Sequence, residues 1–300
     1  MKLGVAVPVI DADIGGDPVA IRDFAQAAEA LGYQDLSVPD HVLGVDVANR
    51  PGWGDRNTSA DLFQDPFVLF GFLAGCTRAI GFSTQVLILA QRQAVLVAKQ
   101  AACLDVLCGG RFRLGIGVGW NEVEFVGLNE DFHNRGSRSE EQVAVMQALW
   151  AEPHVTFRGK YHTIEDAGIN PLPAKRMIPI WFGGHADVTL RRVARCGDGW
   201  MPLAYRPGDE AKAAFARLHA YAQAASRDPA AIGIDTRVTV GIGGEAEWRE
   251  TVRFWKSCGV THLTLGTYSV RGHLRRIAGR SLAAHLDAIR RYREAVADLL

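Results

Sequence analysis

The chain of 300 residues has no surplus of either charge: Lys plus Arg number 33, and so do Asp plus Glu. A nucleic-acid partner would call for a basic surface that displaces counterions, so the balance argues against one. Long apolar runs are also missing. None approaches the roughly 18 residues that cross a bilayer, which argues against a membrane partner. The opening MKLGVAVPVIDADIGG has one Lys and a short apolar run met at once by acids, unlike a signal peptide. The five cysteines are odd in number and form no CxxC, which reads as reduced thiols in a cytoplasmic protein. Cys103 and Cys108 share one apolar helix and read as core. GxxxxGK[ST], GxSxG and HExxH are absent, and His133, His154 and His162 stand at no ligand spacing, so no metal site is expected.

What the chain does have is 48 % hydrophobic residues arranged in a repeating β/α rhythm. Lys2–Val9 alternates as a first strand, and Asp17-Pro18 then opens a helix with an N-cap and an N1 proline. Leu36–Val38, Ile80–Leu89, Arg111–Ile116, Ile180–Phe182, Gly199–Met201, Ile232–Ile242 and Thr261–Leu265 read as further strands, each followed by a helical segment. Asp65-Pro66 repeats the cap signal, and a helix is expected over Ser139–Trp150. Eight β/α units with no composition break predict one domain over 1–300, a (β/α)8 TIM barrel with insertion regions. A doubly wound open sheet is the competing arrangement. Two insertions stand out: an irregular stretch over 44–64, and an alternating segment over 155–164, read as an antiparallel hairpin turning at Gly159-Lys160.

A barrel of this kind carries its site at the C-terminal ends of the strands. Strand two ends in Asp40-His41, where the carboxylate would hold the imidazole tautomer for acid/base work, or the pair would merely cap the following segment. Strand four ends in Gly117-Val118-Gly119-Trp120-Asn121, a turn open to close approach by a ligand, with Asn121 and Glu124 spaced as a helix cap. The spacing GxGxG is not the dinucleotide pattern GxGxxG. Strand five ends in Gly183-Gly184-His185. Arg135 and Arg138 stand either near an anion or in ion pairs with Glu140 and Glu141, and Trp53, Trp120 and Trp181 are pocket aromatics to be placed.

KLGVAVP, the PDH after strand two, LDVLCGGRFRLGIGVGWNEVEF, RGSRSEEQVAVMQALW, PIWFGGH and RRVARCGDGWMP together resemble the bacterial luciferase-like monooxygenase superfamily, from Lys2 to about Gly266. Within it the chain is similar to the coenzyme F420-dependent oxidoreductases. The resemblance implies a (β/α)8 barrel, usually dimeric, that transfers a hydride between F420 and a small organic substrate such as an alcohol/ketone, imine or enone. It implies His41, with Asp40, near the reactive carbon of the deazaflavin. It also implies a non-proline cis peptide at Gln85-Val86 behind the ring. Gly117, Val118, Gly119 and Trp120 would line the cofactor, and Gly183 and Gly184 would bind its phosphate end. An FMN-dependent monooxygenase is the alternative within the same fold, and a non-catalytic cofactor-binding protein the alternative outside catalysis. Trp120 stands where sugar-phosphate dehydrogenases of this group carry a Glu, which sets those substrates apart.

Overall fold

The computed structural model describes residues 1–10, 13–203, 205–268 and 274–300. Eight strands form a parallel barrel: β1 (Lys2–Ala6), β2 (Asp35–Val38), β3 (Gly81–Thr84), β5 (Phe112–Gly117), β8 (Ile180–Gly183), β9 (Gly199–Met201), β10 (Gly233–Thr239) and β11 (His262–Gly266). Each pairs in parallel with the next, and pairing of β3 with β5 closes the ring. The short β4 (Leu87–Ile88) adds to the top of β5, pairing Leu87 with Ile116 and Ile88 with Gly117. The expected single strand over Ile80–Leu89 is thus two pieces, separated by a cis peptide at Gln85-Val86.

Helices α1 (Pro18–Ala30), α2 (Pro66–Ala74), α3 (Ala94–Leu107), α4 (Glu122–Gly127), α5 (Arg135–Ala151), α6 (Asp187–Cys196), α7 (Asp209–Ala224), α8 (Glu245–Ser257) and α9 (Leu282–Val296) fill the connections. Local chemistry starts two of them as the sequence indicates. The Asp17 carboxylate accepts from Val19 N at 2.9 Å, and Asp65 accepts from Phe67 N at 2.9 Å, each ahead of a proline at the first helical turn. Helix α5 starts one turn earlier than Ser139, because the Asn134 carbonyl accepts the Arg138 N–H and draws Arg135 to Arg138 into the helix. Among the described residues no helix is long and apolar enough to cross a membrane.

The core lies between the barrel wall and its helices. Phe24, Phe70 and Phe82 are fully buried there, as are Trp150, Trp200 and Trp255. Two excursions leave the barrel. Strands β6 (Val155–Arg158) and β7 (Thr163–Ala167) make the expected antiparallel hairpin. Its turn is tied down by Glu141 of α5, whose carboxylate accepts from the backbone N–H of Lys160, Tyr161 and His162 at 2.7–2.8 Å. The 44–64 segment holds one short 3-10 turn, Val47–Asn49, and a single bridge between Val45 and Thr58.

Candidate active site

His41 follows β2 and is fixed by a residue 83 positions away. Its Nδ1 lies 2.8 Å from Glu124 Oε2 in the first turn of α4, beyond the end of β5. The other carboxylate oxygen accepts from the backbone N–H of Val42 at 2.6 Å and Leu43 at 3.2 Å. Asn57, fully buried in the 44–64 segment, donates from Nδ2 to Leu43 O at 3.0 Å and to Glu124 Oε2 at 3.4 Å. Burial would push the Glu124 carboxyl up. The hydrogen bond and charge of His41, helped by the Val42 and Leu43 amides, outweigh it and hold the carboxyl below its ordinary value. A carboxylate can only accept, so Nδ1 of His41 carries the hydrogen and Nε2 is left as the atom that gains or loses a proton. The imidazole meets Phe63 edge-on at 4.8 Å between ring centroids and Trp120 at 5.9 Å. Trp120 in turn carries Trp53 at 5.6 Å and the Arg56 guanidinium at 4.6 Å.

Asp40 does not partner His41, which corrects the expected Asp-His contact. The adjacent side chains diverge: the Asp40 carboxylate is buried and accepts from Ile88 N at 3.0 Å and from Arg92 at 2.7 and 3.2 Å. Arg92 also reaches Asp65, the cap of α2, at 3.0 Å. Asp40 therefore ties the end of β2 to β4 and to the start of α2. Burial raises its carboxyl above the ordinary value despite the neighbouring guanidinium.

Val86 explains two of the glycines at the strand ends. A Cβ built on Gly117 would fall 2.6 Å from Val86 Cγ2, and one on Gly183 would fall 2.6 Å from Val86 Cγ1. The Val86 side chain thus wedges between the tops of β5 and β8, and only glycine backbones admit it there. Gly119 has φ +80°, and a Cβ on it would strike Ile88 and Phe125. The Gln85 side chain points down into the barrel: Nε2 donates to Asp235 Oδ2 at 2.9 Å and meets Thr264 Oγ1 at 2.8 Å. Strands β3 and β10 are not neighbours, so this contact crosses the interior. Arg113 reaches the same Asp235 at 2.8 Å and lies 4.2 Å over Trp181. Trp181 is therefore not a mouth aromatic. It packs against the backbones of Gly199 and Gly233 and against His262.

Val118, Gly117 and Gly183 line a small void of about 10 Å³ with Ser139, Thr189 and Arg192. Gly184, φ +123°, leads into the first turn of α6, and its carbonyl accepts the Trp200 indole N–H at 2.6 Å. The Thr189 hydroxyl and the first turn of α6 offer donors to an anionic oxygen, beside Arg192, which Glu140 already pairs, and the Ser139 hydroxyl, which donates to Gly136 O; the space admits one oxygen-sized group. That chemistry fits the phosphate-bearing end of a flavin or deazaflavin. Arg135 and Arg138 do not form the expected ion pairs with Glu140 and Glu141. Arg138 is buried against Glu130 and the Ala90 carbonyl, while Arg135 donates to Gly119 O at 3.2 Å and stacks on Phe132. Glu140 pairs with Arg192 and Arg195 instead.

Two residues at the site carried no readable signal, Asn57 and Phe63, and Arg92 was legible only as a polar residue at the end of the third strand. Glu124 sat in a cap pattern that satisfied a local reading. Asn121 does cap α4, through Val123 N at 3.0 Å, and Glu124 turns away toward His41.

The luciferase-like monooxygenase family model matches residues 1–299. An uncharacterized Mycobacterium tuberculosis protein is 36 % identical over 195 residues, 61 % of this chain and 66 % of its own length. The F420-dependent hydroxymycolic acid dehydrogenase of Mycobacterium tuberculosis is 29 % identical over 237 residues, 77 % of this chain and 61 % of that protein. The chain thus spans just under two thirds of the length of these relatives. An F420-dependent secondary alcohol dehydrogenase, solved with an F420-acetone adduct, superposes with a TM-score of 0.78 at 18 % identity, covering 100 % of this chain and 99 % of that one. At that identity the likeness is one of fold.

Proposed function

The chain belongs to the luciferase-like monooxygenase family, and from that membership and the mouth of the barrel we propose an F420-dependent oxidoreductase acting on a small carbonyl, alcohol, imine or enone. The observation that carries the reading is His41, held through Nδ1 by Glu124 with Nε2 left to exchange a proton. The F420-dependent hydroxymycolic acid dehydrogenase above supports the choice of deazaflavin over FMN.

When bound, F420 supplies a two-electron hydride donor or acceptor. Val86, Gly117, Val118 and Gly119 would form the floor beneath its ring, with Trp120 at the edge. Gly183, Gly184, Ser139, Thr189 and Arg192 would hold its phosphate end. The protein's own part in the reaction is positional and protonic. His41 Nε2 would take the proton from a substrate hydroxyl during oxidation, or return it to the oxygen during reduction, while Glu124 balances the imidazolium charge. Asp40 would act at one remove, holding the strand end that bears His41. Phe63, Trp53 and Trp120 would keep water from the reacting atoms. Exposed apolar side chains on α2 and α3, among them Val68, Phe72, Leu96 and Leu107, support a homodimer.

Equilibrium titration of the purified protein with F420 and with FMN tests the cofactor. The expected result is tighter binding of F420, together with turnover of at least one alcohol or ketone. His41→Ala should then lower kcat by about 10²–10⁴-fold while leaving F420 binding in place. Tighter binding of FMN, with oxygen consumption, would favour a flavin monooxygenase. Unchanged turnover in His41→Ala would remove the proton role.

A further inference from the structure

The inside of this barrel is not filled by apolar side chains alone, although barrels of the kind pack layers of branched apolar residues there. Arg113 and Asp235, both buried, form an ion pair at 2.8 Å, and Thr264 donates Oγ1 to the other Asp235 oxygen at 2.8 Å. Replacing such a pair by well-packed apolar side chains is often neutral or stabilising, so stability is a weak reason for its presence. What charged and polar groups add is direction, and here the direction leads to Gln85.

Gln85 is buried, and each of its polar groups has a partner. Side-chain Nε2 donates to Asp235 Oδ2 at 2.9 Å and to Thr264 Oγ1 at 2.8 Å. Oε1 accepts from Arg237 Nε at 3.2 Å, and the backbone carbonyl accepts from Arg237 Nη2 at 3.3 Å. Asp235 and Arg237 both belong to β10, on the opposite side of the ring from β3. The backbone N–H donates to Val38 O at 2.7 Å, at the end of the strand that leads to His41. Val86 comes next in the chain. Its methyl groups stand 2.6 Å from where a Cβ on Gly117 or on Gly183 would fall. Close packing therefore holds Val86 from the sides, and the bonds at Gln85 hold it from below.

We propose that Asp235 and Arg237 are positioning residues for the cofactor ring, clamping Gln85 from the far wall of the barrel and so setting where Val86 stands beneath the ring. The inference rests on the reading of Val86 as part of the ring's floor. Arg113 and Thr264 orient the Asp235 carboxylate, and the whole set acts through Gln85 and Val86. A binding site must hold its parts to within about 0.5 Å, which a buried, directional network achieves better than apolar packing alone.

The test titrates the full chain with F420 and with FMN and compares variants on whichever cofactor the wild type binds more tightly. Gln85→Met keeps the length of the side chain and removes its donor and its acceptor. Binding should weaken about tenfold, and without cofactor the amides over 86–91 should exchange hydrogen faster. Rescue is the sharper arm. Gln85→Glu at pH 8 sets two carboxylates together and should weaken binding more than tenfold. Adding Asp235→Asn moves the charge to the other partner and reverses the hydrogen bond, and should return binding to within about threefold of wild type. Wild-type affinity in Gln85→Met, whatever its urea midpoint, would overturn the clamp and leave the cofactor reading standing. So would a paired exchange that binds no better than Gln85→Glu, and this arm decides alone if Gln85→Met does not fold. Tighter binding of FMN by the wild type would overturn the cofactor reading, and the same comparison made with FMN would still decide the clamp. A wild type that binds neither would overturn both.

Discussion

Asp40 and Glu124 are both buried carboxylates beside His41, one next to it in the chain and one next to it in space, and they serve opposite ends. Asp40 faces inward, to Arg92 and the Ile88 amide, and joins three pieces of the fold. Glu124 faces His41 and the two amides that follow it, and sets which imidazole nitrogen is free. Burial wins at Asp40 and raises its carboxyl, whereas the donors win at Glu124 and lower it. A carboxylate beside a histidine in sequence is thus not by itself a catalytic pair. Where its oxygens point decides the role.

The contrast is broken most severely from the Asp40 side. Arg92→Met would leave the Asp40 carboxylate buried without its cation and should cost about 3–5 kcal/mol, because a buried charge robbed of its partner keeps its desolvation penalty. Asp40→Ala should cost less, since Arg92 keeps Asp65. Chemical denaturation would read this directly. A loss below about 1 kcal/mol would mean that the ion pair is wetter than its burial indicates.

Glu124→Gln should reverse the balance between stability and activity. The amide keeps the shape and still accepts one hydrogen bond, so stability should fall by only about 1 kcal/mol. Turnover should fall about 10²-fold or more, since the imidazolium loses its counter-charge and the ring its fixed tautomer. The carboxamide holds a protonated ring less well, so the pH profile of kcat should move toward lower pH, where the free base then persists. The same loss of kcat with an unmoved profile would mean that Glu124 only packs.

How far this division could be read in advance follows from the range of each interaction. The barrel was legible because its signals are local: Asp17-Pro18 and Asp65-Pro66 start helices, and short apolar runs, buried on both faces, mark the strands between them. The glycines at 117 and 183 were legible as close approaches, but the sequence could not say that part of what approaches is Val86. The cis bond at Gln85-Val86 was implied by resemblance, not by any residue pattern. Asp40 and Glu124 were misassigned for one reason: each has a plausible local partner, His41 in one case and the α4 cap in the other. Tertiary contacts 52 and 83 residues away override both. Asn57 and Phe63 were invisible, since an irregular segment has no period from which to read a face.

The smallest effect is the one that separates the two carboxylates most cleanly, the acid dependence of stability. Glu124 has a folded-state pKa below its unfolded value, so the unfolded chain binds the proton more readily. Its contribution is present above the ordinary carboxylate range and is lost as pH falls through the depressed folded value. Asp40 has the opposite sign. Its folded pKa is raised, so ionising it opposes folding above that value, and acidification relieves the cost. Removing each carboxylate in turn should therefore bend the stability curve in opposite directions between about pH 6 and pH 3. Glu124→Gln should flatten the fall in stability on acidification relative to wild type, and Asp40→Asn should steepen it. Urea midpoints across that range would measure both, provided each variant is compared with itself at pH 7 so that the static cost of the substitution drops out. Curves that bend the same way would mean that the two carboxylates share one environment, and the distinction between an anchoring and an orienting acid would have to be abandoned.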